Sequence, residues 1–380
     1  TKVSVTVYAG ALVFETLLPD TFGSPENAFW IGAISTVTLT GLYTIAGGLR
    51  AVLFTDSLQA TILILGSCAI TYFGLEKLGG FNELQTFASQ NVAQYALWRP
   101  LSDPNFPWLG ILIASPIVGI WYWCTDQYIV QRTLAAKNLK AARRGALWGA
   151  FLKIWPVLIF LIPGLIGAAL NDKGLLNIST NTDGSLIGDH VFPSMVATLL
   201  PEGLRGLVVA GILAALMSSL SSLFNSTATL FTFDVYKKLR PMVTDAKLIV
   251  IGRIATLVIV ILGLLWIPIM PMISKGGLYQ YLQSVQSYLA PPITAVFLLG
   301  LFNNRINNQG ATWGLSIGFI LGMLKLVIQA FFGAEKISNP TILSMIGDFN
   351  FLYFSGVLFL ISVVIIILVS YKTSPPDQQK

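Results

Sequence analysis

Ser218, Ser222, Asn225 and Thr229 recur at helical spacing inside LVVAGILAALMSSLSSLFNSTATLFTFDVY, residues 207–236, with Ser219, Ser221 and Ser226 beside them. The segment is otherwise apolar and long enough to cross a bilayer. Polar groups in hydrocarbon cost free energy unless something occupies them, so the stripe must face protein, water or a bound solute. Hydroxyl and carbonyl oxygens are hard ligands that suit a hard cation. Ser218 and Ser219 could flank such an ion if the Ala215 carbonyl, one turn earlier, points the same way. Hydroxyl-mediated packing between helices is the alternative role for the same residues.

Three more places carry chemistry. In LYQYLQSVQSYLAPPITAVFLLGLF, Gln280, Gln283, Ser284 and Ser287 fall at i, i+3, i+4 and i+7 and share one helix face. Glutamine amides both donate and accept, which suits a polyhydroxylated ligand, or equally a buried network that fixes helix register. Pro291-Pro292 is expected to break this helix and free carbonyls. WYWCTDQ, residues 121–127, reads either as an interfacial aromatic belt or as a lined cavity whose rings cover the apolar side of a sugar. Charged residues Glu15, Asp56, Lys153 and Lys325 sit inside apolar segments, where ionisable groups are functional suspects. Lys325 has no obvious partner in the sequence and is left out of the site.

These residues must be held by membrane helices. Of 380 residues, 54% are hydrophobic and 11% charged, and mean hydropathy is +0.74. A soluble domain carries about a quarter charged residues. The expected class is therefore an all-α, polytopic membrane protein. Ten spans are expected, near 2–18, 28–47, 50–76, 107–130, 141–170, 205–236, 247–269, 277–302, 309–332 and 350–371, with a turn at Gly47-Gly48 and long polar connections at 79–106 and 171–200. Ten spans place both termini inside, and most of the Lys and Arg then face the cytoplasm, as in loops 131–140 and 237–246. The net charge of +6 thus reflects inside loops, with no nucleic-acid partner expected. Cys68 and Cys124 offer neither a disulfide frame nor a metal site, and the single His190 excludes a histidine metal centre. No P-loop, GxSxG or HExxH pattern occurs, so an enzyme is not expected. The chain opens at Thr1 inside an apolar segment, as a fragment would.

The strings YTIAGGLRAVLFTDSLQ (43–59), WYWCTDQYIVQRTLAAKN (121–138), AALMSSLSSLFNSTATLFTFDVY (214–236) and QYLQSVQSYLAPPITAVFLLGLF (280–302) closely resemble sodium/glucose cotransporters of the sodium–solute symporter family, in particular its sugar branch and bacterial members. The resemblance implies a LeuT-like core of inverted repeats with solute bound near the midplane. Residues 1–76 would be the rest of a first repeat whose opening helices are missing, 107–302 the second repeat, and 309–371 additional C-terminal helices. It implies sodium, as coupling ion, at Ala215, Ser218 and Ser219, and in some members a second sodium at Asp56, Ser221 and Ser222. Gln283 falls on the sugar-binding glutamine, Tyr122 with Trp123 on the aromatic inner gate, and Lys153 on the sugar-pocket lysine. Two positions depart from the common pattern: Gly119 stands where sugar-transporting relatives often carry Thr or Asn, and Gln286 where relatives often carry a small hydroxyl residue. The implied function is sodium-coupled uptake of a glucose- or galactose-like monosaccharide across the plasma or inner membrane. The same frame in another member would carry myo-inositol, sialic acid or proline, or act as a sensor without transport.

Overall fold

The computed structural model describes residues 2–96, 98–180, 184, 186–270, 277–332 and 342–376; the side chains of residues 43, 45–58, 94 and 157 lie outside the described set. The helices are α1 (Lys2–Leu17), α2 (Pro25–Leu78), α3 (Phe81–Gln90), α4 (Val92–Tyr95), α5 (Trp108–Ile120), α6 (Gln127–Leu134), α7 (Leu139–Leu152), α8 (Trp155–Asp172), α9 (Gly188–Leu199), α10 (Glu202–Thr229), α11 (Lys237–Leu239), α12 (Asp245–Trp266), α13 (Gly277–Phe302), α14 (Asn308–Phe332), α15 (Ile342–Asp348) and α16 (Phe351–Lys372). π-helical segments follow α5 at Trp121–Thr125 and α10 at Leu230–Tyr236. Two compact units result: residues 1–95 with 133–267, and residues 96–132 with 268–380.

Among the described residues, seven helices are long and apolar enough to cross a membrane: Gln59–Leu78, Trp108–Thr125, Glu202–Leu239, Asp245–Ile269, Gly277–Phe302, Asn308–Phe332 and Phe351–Lys372. Leu158–Asp172 is apolar but shorter. The expected turn at Gly47-Gly48 is absent. Backbone hydrogen bonding continues through α2 for 54 residues, about 81 Å at the α-helical rise against a hydrocarbon core of about 30 Å. Mid-helix glycine costs only about 1 kcal/mol relative to alanine, too little by itself to break a helix. Ser24 caps the start of α2 by accepting from the Asn27 N–H, Pro25 sits at its first position, and Gly79 ends it at φ +103°, a conformation that favours glycine.

The expected span 141–170 is instead two helices meeting at Lys153-Ile154. Pro156 in the first turn of α8 lacks an N–H and its ring would clash with the carbonyl four residues back, so α7 stops. Likewise, the expected loops at 79–106 and 171–200 contain α3, α4 and α9. Periodicity in those segments is short and their mean polarity hides it.

In the first unit, lipid would solvate an apolar face as well as a neighbouring helix does, so close approach decides packing. A methyl on Gly66 would lie 2.6 Å from Val208, one on Gly211 2.6 Å from Ile62, and one on Gly74 2.8 Å from Ile166. These contacts seat α2 against α10 and α8 around Ile70, Ile166, Met195 and Val208, all buried. Pro163 within α8 leaves the Ile159 carbonyl without its usual intrahelical donor. The Ser67 hydroxyl of α2 donates to it at 2.5 Å, restoring the bond from outside.

In the second unit, Gly310, Gly314, Gly318 and Gly322 form one face of α14 at four-residue spacing. They pack on Ser370, Ile366 and Ser362 of α16 and on Pro292 and the Tyr288 carbonyl of α13. Contrary to expectation, α13 does not break at Pro291-Pro292. The carbonyl that Pro292 cannot serve, Tyr288, is covered by Gly322 instead. Lys325, which the sequence left without a partner, is 2% exposed and donates to the Gly347 carbonyl at 2.7 Å, in the last turn of α15. Its ammonium also lies 5.7 Å from the Tyr288 ring centroid and 5.9 Å from that of Phe354, favourable cation–π positions. The Tyr288 hydroxyl donates to Gln329.

The loop before α5 is organised by Asp103. Its carboxylate accepts from Arg99 at 2.8 Å and from the backbone N–H groups of Asn105 (2.9 Å) and Phe106 (2.7 Å). Burial opposes its ionisation, but those N–H donors and the Arg99 guanidinium outweigh burial and hold its pKa below the ordinary carboxylate value. A depressed folded-state pKa contributes stability above the unfolded value of about 4, and that contribution is lost as pH falls through the folded value. Asp103→Asn is therefore expected to destabilise the unit by about 1–2 kcal/mol at pH 7, the scale of lost charge-assisted hydrogen bonds. Thermal unfolding in detergent checks this: the gap between variant and wild type should close as pH is lowered past 4.

Candidate functional site

The oxygen stripe belongs to the first unit. Ala215, Ser218 and Ser219 stand at i, i+3 and i+4 of α10, so they share a face. Ser218 is 5% exposed; Ala215 and Ser219 are half-buried. Ser221 and Ser222 are fully buried. Ser221 Oγ is 2.7 Å from Thr44 Oγ1 of α2, and Thr44 also lies 2.6 Å from the Thr40 carbonyl. A hydroxyl carries one proton, so Thr44 donates to Thr40 and accepts from Ser221, or donates to Ser221. Either way a lone pair on Ser221 stays free for a further partner. The Asp56 side chain lies outside the described residues. Lys153 is exposed in the turn between α7 and α8, not inside a continuous span.

Tyr122, Trp123 and Gln283 belong to the second unit. The two aromatics sit in the Trp121–Thr125 π segment, closed by an Asp126 N–H to Trp121 carbonyl bond of 3.0 Å. The Thr125 hydroxyl donates to the same carbonyl at 2.7 Å. Such π turns widen a helix and recur at functional sites. Here the turn sets the Tyr122 and Trp123 rings edge to face, 5.3 Å apart at 89°. Tyr122 is half-buried and Trp123 is 49% exposed. A buried hydroxyl, Thr294 of α13, donates to the Ile117 carbonyl at 2.8 Å and ties the turn of α5 before this segment to α13.

The polar face of α13 divides into two roles. Gln280 donates to the Asn105 side chain at 2.7 Å, and Asn350 donates to the Pro104 carbonyl at 2.8 Å, so Gln280 is part of the loop scaffold. The Ser284 hydroxyl donates back to the Tyr281 carbonyl at 2.9 Å. Gln283 and Gln286 are half-buried. The Ser287 hydroxyl is buried with no hydrogen-bond partner among the described residues. Thr44 and both π segments were missed in the sequence. A mid-helix threonine is ordinary, and a π turn has no composition signature.

Residues 1–318 match the sodium:solute symporter family. Sodium/glucose cotransporter 4 of Mus musculus is 38% identical, the match covering 100% of this chain and 58% of that relative. Sodium/myo-inositol cotransporter 2 of Homo sapiens is 36% identical over 100% of this chain and 58% of the relative. Sodium/glucose cotransporter 1 of Oryctolagus cuniculus is 35% identical over 99% and 60%. The chain thus spans about three-fifths of the length of these relatives. A solved Na+-coupled sialic acid symporter, in a substrate-bound outward-open state, aligns with a TM-score of 0.71 at 22% identity, covering 100% of this chain and 74% of that chain. The fold is shared with that symporter.

Proposed function

Because the chain belongs to the sodium:solute symporter family, we propose that it takes part in sodium-coupled uptake of a glucose- or galactose-like monosaccharide by alternating access. It is a multi-pass membrane transporter, not an enzyme, and the plasma or inner membrane is the site where uptake would occur. The observation that carries the reading is the face of α10 on which Ala215, Ser218 and Ser219 stand at i, i+3 and i+4 of an otherwise apolar helix, residues that together offer a carbonyl and two hydroxyl oxygens to a hard cation. These hold the coupling sodium. Asp56, Ser221 and Ser222 would hold a second, with the free lone pair of Ser221 as one ligand. Gln283 hydrogen-bonds sugar hydroxyls, and Tyr122 and Trp123 cover the ring; Lys153 is the counterpart of the family's sugar-pocket lysine. Residues 1–76 and 107–302 belong to the two inverted repeats and 309–371 to added helices. Coupling needs only that sodium favour the outward-facing state that also binds sugar.

A polyol substrate is the second reading, favoured by the 36% identity to a sodium/myo-inositol cotransporter, between the 35% and 38% of the two glucose cotransporters. Uptake of labelled glucose, galactose, myo-inositol, sialic acid and proline into proteoliposomes under an inward sodium gradient decides. Preference for a hexose supports the first reading; preference for myo-inositol replaces it with the second; a response to proline or sialic acid alone removes both. Gly119 offers a finer test, since a Cβ added there meets no atom of the described residues within 4 Å. Gly119→Thr is expected to fold normally and change the hexose to myo-inositol uptake ratio by about fivefold, the effect of one hydrogen bond gained by one solute. An unchanged ratio places Gly119 away from the solute.

A further inference from the structure

Thr227 and Thr256 donate back to carbonyls one turn earlier, Leu223 at 2.9 Å and Gly252 at 3.1 Å. Thr232 does not. It is 3% exposed, yet its hydroxyl has no hydrogen-bond partner among the described residues. It lies in the π segment that follows α10, where residues leave the α register. Its oxygen faces Gly252 of α12, where an added methyl would come within 3.4 Å. Both residues line a cavity of about 410 Å³ in the first unit, with Asn225, Thr229, Thr44 and Asp245 also on its wall. A buried hydroxyl without a partner is unfavourable unless water or a ligand reaches it.

The cavity meets the oxygen stripe. Ser218, Ser222, Asn225 and Thr229 stand at i, i+4, i+7 and i+11 on one face of α10, and Asn225 and Thr229 are already cavity wall. Thr44 joins the two, bonding Ser221 and lining the cavity. From Ser218 to Thr229 is about 16 Å along the helix. The cavity lies at the end flanked by Lys237, Lys238 and Arg240, the cytoplasmic end by the distribution of basic residues. We propose that this cavity is the cytoplasmic release vestibule of the coupling cation, with Asn225, Thr229 and Thr232 as successive oxygen ligands and Asp245 at its mouth. The inference rests on the proposed sodium site at Ser218 and Ser219 and adds the route that leads from it. A chain of neutral oxygens ending at a carboxylate suits a small cation, which must be handed on without being trapped. Arg253 lines the same cavity, exposed, two turns along α12 from Asp245. Removing either charge should therefore move cation access in opposite directions.

The test uses Asn225→Cys and Thr229→Cys in protein carrying Cys68→Ser and Cys124→Ser, labelled from the cytoplasmic face with a cationic (trimethylammonium) or an anionic (sulfonate) methanethiosulfonate. Both cysteines are expected to react, the cationic reagent about fivefold faster, as a nearby carboxylate gives in water. Sodium should slow labelling, Asp245→Asn should erase the preference, and Arg253→Gln should enlarge it. Absence of labelling in protein that retains sodium-driven uptake overturns the vestibule and leaves the proposed function standing; sodium-independent uptake overturns the sodium coupling on which the proposal rests, while labelling still decides the access route. Thr232→Val, isosteric and apolar, provides a second measurement for cysteine variants that fail to fold. It should lower maximal uptake at unchanged half-saturating external sodium, and an unchanged maximal rate contradicts the role of Thr232.

Discussion

Replacing Ser219 by alanine raises the sodium concentration for half-maximal uptake by about tenfold, the equivalent of about 1.4 kcal/mol and within the range for one lost oxygen partner. Alanine is the best helix former, so α10 itself is not weakened. Ser219 is half-buried beside the more buried Ser218, and its hydroxyl stands on the face shared with Ala215. Ser218→Ala should act in the same direction, with an added loss of stability because Ser218 is packed. Sodium titration of uptake in each single variant checks the expectation. If the hydroxyls serve only as packing, thermal stability falls while the sodium dependence stays where it was.

Gly322→Ala should cost about 3 kcal/mol or more, the upper range for overpacking a filled interface. The new methyl would lie 2.1 Å from the Tyr288 carbonyl oxygen and 3.0 Å from its carbon. Both are backbone atoms of a helix already constrained by Pro291 and Pro292, so neither can swing aside. The helix must move, which also disturbs Lys325 above the Tyr288 ring. Gly300→Ala is the control, since among the described residues nothing lies within 4 Å of an added methyl there. Comparison of melting in detergent should show a large drop for Gly322→Ala and almost none for Gly300→Ala. Equal melting would mean that α13 and α14 are not packed at this contact.

The candidate site was legible in outline because hydroxyls and amides in an apolar helix stand out by type and spacing. Ser218, Ser219 and Gln283 declare themselves that way. The misreadings at Pro291-Pro292 and Lys325 share one cause: a backbone group distant in sequence meets what the local sequence leaves open. Pro291-Pro292 looks like a break because two carbonyls lose donors, yet Gly322 of α14 closes over one of them. Pro163 likewise leaves a carbonyl without its donor, and the Ser67 hydroxyl of α2 supplies one. Lys325 looks unpaired because its partner is a main-chain carbonyl at Gly347, which has no side-chain signature. Conversely, Pro156 does end a helix at Lys153-Ile154, because it falls in a first turn where the next helix can restart. Gln280 shows the limit of facial periodicity. It shares a face with Gln283 but is spent on Asn105 in the loop scaffold.

The most direct measurement is hexose accumulation in proteoliposomes under an imposed sodium gradient, followed by collapse of that gradient. Inward sodium should drive the labelled sugar above its external concentration, and collapsing the gradient should release it. Uptake that only equilibrates, or that proceeds equally with potassium in place of sodium, would contradict sodium coupling at the α10 oxygen face.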